Sequence, residues 1–309
     1  MENILLATAP CTFGVDRPSG SELINWIDFL DRVSELKIGG VELGPMGYIP
    51  ISNAEWVLDE FSMRGIHIVA GTVFDDLVSR ARVNELKEDI AQLCKFLSRA
   101  KCNLKTIKGP YLIIIDWGHK EGRSTIGNYR LAPRLDRDSL RQLVEHICLI
   151  AKLAEDAGVI PLIHPHVGGY IEFHDEIQEV VEYISKTNIK LCLDTGHTFY
   201  AGMNPVNVIS NYSELVEYIH IKDFNLGVYL SSIRKNHEFF EACANGLTCA
   251  IGQGCLDYPS IIKTLLEINY SGYLTIEIEK SPAHWRQATF QLTSSGDYLN
   301  QLLNYNSRI

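Results

Sequence analysis

Short apolar runs recur along the chain, each followed by a longer stretch in which apolar positions return with helical spacing. That alternation predicts strands over 4–8, 39–43, 67–71, 111–115, 159–163, 189–193, 217–221 and 273–277, separated by helices. Runs such as Tyr111-Leu112-Ile113-Ile114-Ile115 and Val159-Ile160-Pro161-Leu162-Ile163 are apolar on both faces, the pattern of parallel strands covered on both sides. Helices are predicted from Ser21 to Leu36, from Asn84 to Ser98, and from Asp138 to Ala157, where Gly158 stops the last. Eight such units in 309 residues, about 39 residues each, fit a (β/α)8 barrel carrying insertions. A doubly wound open sheet competes with it, but the first strand runs into Ala7-Thr8-Ala9-Pro10-Cys11-Thr12-Phe13-Gly14 without the G-x-G-x-x-G turn that such a sheet carries. No linker or composition shift divides the chain, so a single domain over 1–309 is expected. Two irregular stretches, 116–137 and 223–257, are expected to be long loops over the barrel mouth.

Composition narrows the partners. The 28 Lys+Arg against 38 Asp+Glu give a net charge of −10, which repels a phosphate backbone and argues against a nucleic-acid partner. No run of apolar residues is long enough to span a bilayer, and Met1-Glu2-Asn3-Ile4-Leu5-Leu6 lacks the basic start and long apolar stretch of an export signal, so a cytoplasmic location is expected. The eight cysteines have no C-x-x-C spacing and sit mostly in apolar runs, which reads as reduced core thiols; Cys11 and Cys255, flanked by turn residues, stand apart.

The chemistry lies where the apolar runs end. Leu162-Ile163-His164, Leu191-Cys192-Leu193-Asp194, Tyr218-Ile219-His220 and Leu274-Thr275-Ile276-Glu277 each finish in a side chain able to bind a metal. In a parallel barrel all these ends converge on one face. Residues 30, 26 and 57 positions apart would therefore meet in one small volume. Taken singly, each is as readily a cap or an ordinary hydrogen-bonding group. Together, two imidazoles and two carboxylates suit a divalent ion such as Mn, Co or Zn.

Strand parity extends the set, because side chains two apart share a face: His166 follows His164, Lys222 follows His220, and Glu279 follows Glu277. Asp194-Thr195-Gly196-His197 adds another imidazole. Near a bound carbonyl, Lys222 can stabilise enolate charge while a carboxylate or imidazole removes the α-proton; the alternative is that Lys222 simply pairs with Asp223. Glu42, Trp117, His119, Asp223 and Glu279 are candidates for substrate contacts, against structural roles as hydrogen-bonding or packing groups. His67, His146, His237 and His284 are assigned no function, and Gly252-Gln253-Gly254 reads as loop punctuation.

At these residues the chain resembles the xylose-isomerase-like TIM barrel family, which includes sugar epimerases, and within it the inosose dehydratases. The stretches that carry the resemblance are Ala9-Pro10-Cys11-Thr12-Phe13-Gly14-Val15, Val41-Glu42-Leu43-Gly44-Pro45-Met46-Gly47-Tyr48-Ile49-Pro50, Ile163-His164-Pro165-His166-Val167-Gly168, Leu193-Asp194-Thr195-Gly196-His197, Tyr218-Ile219-His220-Ile221-Lys222-Asp223 and Gly272-Tyr273-Leu274-Thr275-Ile276-Glu277-Ile278-Glu279. The resemblance implies that Asp194, His220 and Glu277 bind a divalent metal, Mn or Co first, with His164 where the epimerases carry a glutamate. Epimerases take and return a proton with paired carboxylates, so that replacement favours dehydration of a cyclic keto-polyol. Under this reading Glu277 or a neighbouring carboxylate acts as base, and His166, His197 or Lys222 assists the leaving hydroxyl. The expected partner is a small polyol or sugar, and a homo-oligomer is compatible with it. Alternatives are a sugar isomerase or epimerase on the same barrel, a metal-dependent endonuclease of abasic DNA, and a non-catalytic sugar-binding protein.

Overall fold

Each of the eight apolar runs is a strand in the computed structural model, which describes residues 4–36, 38–101, 108–117, 127 and 129–306. The barrel strands are β1 (Ile4–Thr8), β2 (Gly40–Glu42), β3 (His67–Asp75), β4 (Tyr111–Asp116), β5 (Ile160–Ile163), β6 (Lys190–Asp194), β7 (Val216–Ile221) and β10 (Gly272–Ile276). They close in the order β1-β10-β7-β6-β5-β4-β3-β2, and every pairing is parallel. The two remaining strands, β8 (Asp223–Phe224) and β9 (Thr248–Cys249), form a separate antiparallel ribbon. The helices are α1 (Trp26–Glu35), α2 (Ala54–Met63), α3 (Arg80–Ala100), α4 (Arg137–Asp156), α5 (His174–Ile184), α6 (Thr195–Tyr200), α7 (Pro205–Asn211), α8 (Leu226–Lys235), α9 (Phe239–Ala244), α10 (Tyr258–Glu267) and α11 (Ala288–Asn306).

The period of two along each strand sorts side chains between two cores. Outward residues such as Leu112, Ile114, Ile219 and Leu274 join the large core beneath the helices, whereas inward Tyr111, Ile113, Leu162, Cys192, Tyr218 and Tyr273 fill the barrel. Apolar and aromatic packing thus plugs the interior, and the next inward positions toward the carboxyl ends become polar.

Three helix starts differ from the sequence expectation because a nearby side chain caps better. Asn25 accepts from the Ile27 and Asp28 amides at 3.0 Å each, so the first helix opens there and not at Ser21. Ser79 caps α3 ahead of Asn84, and Asp136 caps α4 through the Ser139 amide at 2.8 Å. The stretch 223–257 is also more ordered than expected: it contains the β8–β9 ribbon, α8 and α9. None of the described helices is long and apolar enough to cross a membrane.

Candidate active site

Barrel closure sets β6, β7 and β10 side by side, with Asp194 in register with His220 and His220 in register with Thr275. From these strands Lys222 reaches inward and is surrounded by acids. Its Nζ lies 2.5 Å from Asp194 Oδ2 and 3.2 Å from Glu279 Oε1, and it also pairs with Glu277 Oε2. Asp194 can serve this role because its two oxygens are divided. Oδ1 caps α6 by accepting from the Gly196 and His197 amides at 2.7 and 2.9 Å, while Oδ2 faces the ammonium.

The Asp194-Thr195-Gly196-His197 turn also fits around the lysine. The Lys222 amide donates to Thr195 Oγ1 at 3.1 Å, and Tyr258 donates its hydroxyl to the Lys222 carbonyl at 2.7 Å. A Cβ on residue 196 would sit 2.5 Å from Lys222 Cβ, so glycine is what lets the stem pass.

His220 occupies the opposite side of Glu277. Its Nε2 is 2.8 Å from Glu42 Oε1, and its Nδ1 is 3.3 Å from Glu277 Oε2 and 3.9 Å from Asp194 Oδ2. His164 stands with ring centres 4.9 Å from His220, 5.4 Å from His197 and 5.5 Å from His166, while His166 and His197 approach to 3.9 Å. All four expected ligands are thus gathered in overlapping groups whose donor atoms lie within 4.8 Å: His164 with Asp194 and His197, His164 with Cys192 and His220, and Glu42 with His220 and Glu277.

Electrostatics divide this cluster in two. Burial keeps the His164 and His197 imidazoles neutral, with pKa values well below the ordinary one, and lowers His166 to about 3, helped in each case by neighbouring imidazoles or Lys222. Burial also opposes the Lys222 ammonium, but Asp194, Glu277 and Glu279 outweigh it and hold its pKa well above normal. Glu277 is held ionised against burial by His220 and Lys222. Glu279 is pushed up to about 7 by burial, with the charges of Glu277 and Asp194 adding to it against Lys222.

The buried nitrogens test the fit of a cation. Among the described residues, His164 Nδ1, His220 Nδ1 and both ring nitrogens of His197 are buried without a hydrogen-bond partner. Buried polar atoms ordinarily find partners, and imidazole nitrogens beside carboxylates form a donor set suited to a divalent ion, His220 releasing a proton as it binds. The residues present therefore fit the group, and Lys222 lies beside them paired to Asp194 and Glu277.

The remaining candidates sort as follows. Trp117 packs on His166, Phe74 and Phe240, with ring centres 5.7, 5.2 and 5.6 Å apart, at the rim of the cluster. Glu42 faces His220 directly. Asp223 is a correction on both counts: it neither pairs with Lys222 nor faces the cluster, because its carboxylate accepts amides of Phe224, Gly252, Gly254 and Leu256 at 2.9–3.1 Å and anchors the 252–256 loop. The Gly252-Gln253-Gly254 punctuation is explained by the same anchor. His119 lies outside the described residues. Cys11 has its sulfur within 4.8 Å of Glu277 and Glu279 oxygens, and the described cysteines are free thiols.

Sequence reasoning missed the roof. Phe239 is fully buried with its ring 4.8 Å from that of His197 and 6.0 Å from that of His166, and Phe240 lies 6.3 Å from His166. The signal was the Phe239-Phe240 pair inside a stretch read as irregular.

Comparison with known proteins agrees with this architecture. Residues 30–293 match the family model of the xylose isomerase-like TIM barrel. An inosose dehydratase of Geobacillus kaustophilus is 26% identical over 298 residues, 84% of this chain and 95% of the relative. One from Clostridium botulinum is 23% identical over 82% of this chain and 83% of the relative. A probable 3-DHS dehydratase from Bacillus anthracis superposes with a TM-score of 0.69 at 16% identity, covering 96% of this chain and 98% of that one. The IOLI protein with a bound zinc atom superposes at 0.72 and 14% identity, over 98% of both chains. The chain belongs to the xylose isomerase-like TIM barrel family.

Proposed function

We propose that the chain is a hydro-lyase that removes water from a cyclic keto-polyol, with 2-keto-myo-inositol as leading substrate and a trihydroxycyclohexane-dione as product. The single observation that carries this reading is the asymmetry of the cluster. Its acids, Asp194, Glu277 and Glu279, converge on Lys222, while His164, His166 and His197 face them as neutral imidazoles. An epimerisation needs a proton-exchanging group on each face of the substrate, whereas a dehydration needs one base, one hydrogen-bond donor for the departing hydroxyl, and stabilisation of the enolate. The inosose dehydratases among its relatives support the same choice. This reading includes a place in inositol catabolism and a cytoplasmic location.

In the reaction, Glu277 or its neighbour Glu279 takes the proton α to the ketone. The electron pair of that C–H bond forms the C=C bond, the β C–O bond breaks, and the hydroxyl leaves as water with a proton from the Lys222 ammonium, while the neutral His166 and His197 imidazoles hydrogen-bond the departing oxygen. The Lys222 ammonium offsets charge developing on the enolate oxygen, and the resulting enol is a tautomer of the diketone. His164, Asp194, His220 and Glu277 would hold a divalent ion, Mn or Co first and Zn next. When bound, such an ion polarises a carbonyl as a Lewis acid. Trp117, Phe239 and Phe240 exclude water from the imidazoles.

Incubation with 2-keto-myo-inositol followed by mass analysis tests the reaction class. The proposal expects a product lighter by one water, and a product of unchanged mass would assign the chain to the isomerases instead.

A further inference from the structure

The Glu42 carboxylate is 3% exposed, and burying a charge so completely is costly unless it is paired and hydrogen-bonded. Its Oε1 receives the Tyr218 hydroxyl at 2.8 Å and lies 2.8 Å from His220 Nε2. Tyr218 precedes His220 by two residues on β7, so both side chains point inward and the tyrosine supports the carboxylate from below. A carboxylate flanked in this way accepts and does not donate, so Nε2 of His220 carries a proton. The other nitrogen, Nδ1, is buried without a hydrogen-bond partner among the described residues and faces Glu277 Oε2 and Asp194 Oδ2.

We infer that Glu42 is a positioning residue: by claiming Nε2–H it fixes the His220 ring and presents Nδ1 to the Asp194–Glu277 oxygens as the nitrogen donor for a divalent cation. The inference deepens the reading above and rests on it. It stands in place of the expectation that Glu42 binds a substrate hydroxyl, because Oε1 already carries two partners. A partner on the far nitrogen of a ligating imidazole orients the ring and raises its basicity, and its loss typically weakens metal binding about 10–100-fold.

The test titrates Co(II) into the wild-type protein, Glu42→Ala and Glu42→Gln, following visible absorbance, with circular dichroism confirming that each variant is folded. Long-range ¹⁵N–¹H spectra of the metal-free proteins, recorded at a pH where the His220 ring is neutral, report which His220 nitrogen carries the proton, a signature that a merely structural role does not move. The expected result is Co(II) binding weakened about 10–100-fold in Glu42→Ala and less in Glu42→Gln, which keeps an acceptor oxygen. The Nε2–H form should persist in wild type and Glu42→Gln and become mixed in Glu42→Ala. Wild-type affinity and an unaltered His220 tautomer in Glu42→Ala overturn the role of Glu42 alone. A wild-type protein that binds no Co(II) overturns both this inference and the divalent-ion part of the proposed function, while leaving dehydration itself to the product analysis.

Discussion

Lys222 Nζ lies 2.5 Å from Asp194 Oδ2, and neither side chain has any exposed surface. The pair is the meeting point of β6, β7 and α6. Removing the cation by Lys222→Met leaves Asp194, Glu277 and Glu279 facing each other with only His220 to offset them. Loss of one preorganised stabiliser of developing charge typically costs about 10²–10³ in kcat, and that is the expected fall in steady-state turnover.

Gly196→Ala reaches the same lysine from the other side. Its new Cβ would sit 2.5 Å from Lys222 Cβ and 2.9 Å from the Phe224 ring, and a Cβ close to its own backbone cannot swing aside. Overpacking of this kind costs about 1–3 kcal/mol. Thermal unfolding should show that loss, together with reduced turnover because the ammonium is displaced.

Phe239 supports the roof over the imidazoles. Phe239→Ala should destabilise the fold by about 3–5 kcal/mol through the cavity it leaves. It should also uncover His197 and His166, so that diethyl pyrocarbonate modifies them faster than in the wild type. An unchanged modification rate would show that the ring does not shield them.

A pH-dependent increment of stability is expected at the end of β3. Arg82 donates to both Asp75 oxygens at 2.8 Å and holds that carboxyl below its ordinary range against the opposing effect of burial. A carboxylate pKa depressed by folding stabilises the protein above the unfolded value of about 3.9 and loses that stabilisation as pH falls through the folded value. The Arg82 side chain is 42% exposed, so solvent limits the effect to about 1 kcal/mol or less. The melting temperatures of wild type and Arg82→Ala should therefore differ at neutral pH and converge in acid.

The barrel was legible in the sequence because its signal is local: apolar runs of strand length, and polar residues at their ends two positions apart. Parity alone placed His220 with Lys222 and Glu277 with Glu279. The partners of Lys222 were not legible, since they depend on the register of β6, β7 and β10 after closure. Asp223, adjacent in sequence, therefore stood as its obvious partner, whereas alternation turns it to the other side and into the amides of the 252–256 loop. The ribbon strands and α9 of 223–257 were missed because they span two and six residues, too few to establish a periodicity. The link from Glu42 to His220 crosses 178 residues and has no sequence signature.

The most direct test of the central claim follows the ultraviolet absorbance of the conjugated product formed from 2-keto-myo-inositol, for wild type and Asp194→Asn, each with and without a chelator. The account predicts rapid absorbance growth in the wild type, suppression by the chelator with recovery on adding Mn(II) or Co(II), and loss of turnover in Asp194→Asn. Undiminished turnover in Asp194→Asn, or in the chelated wild type, would contradict it.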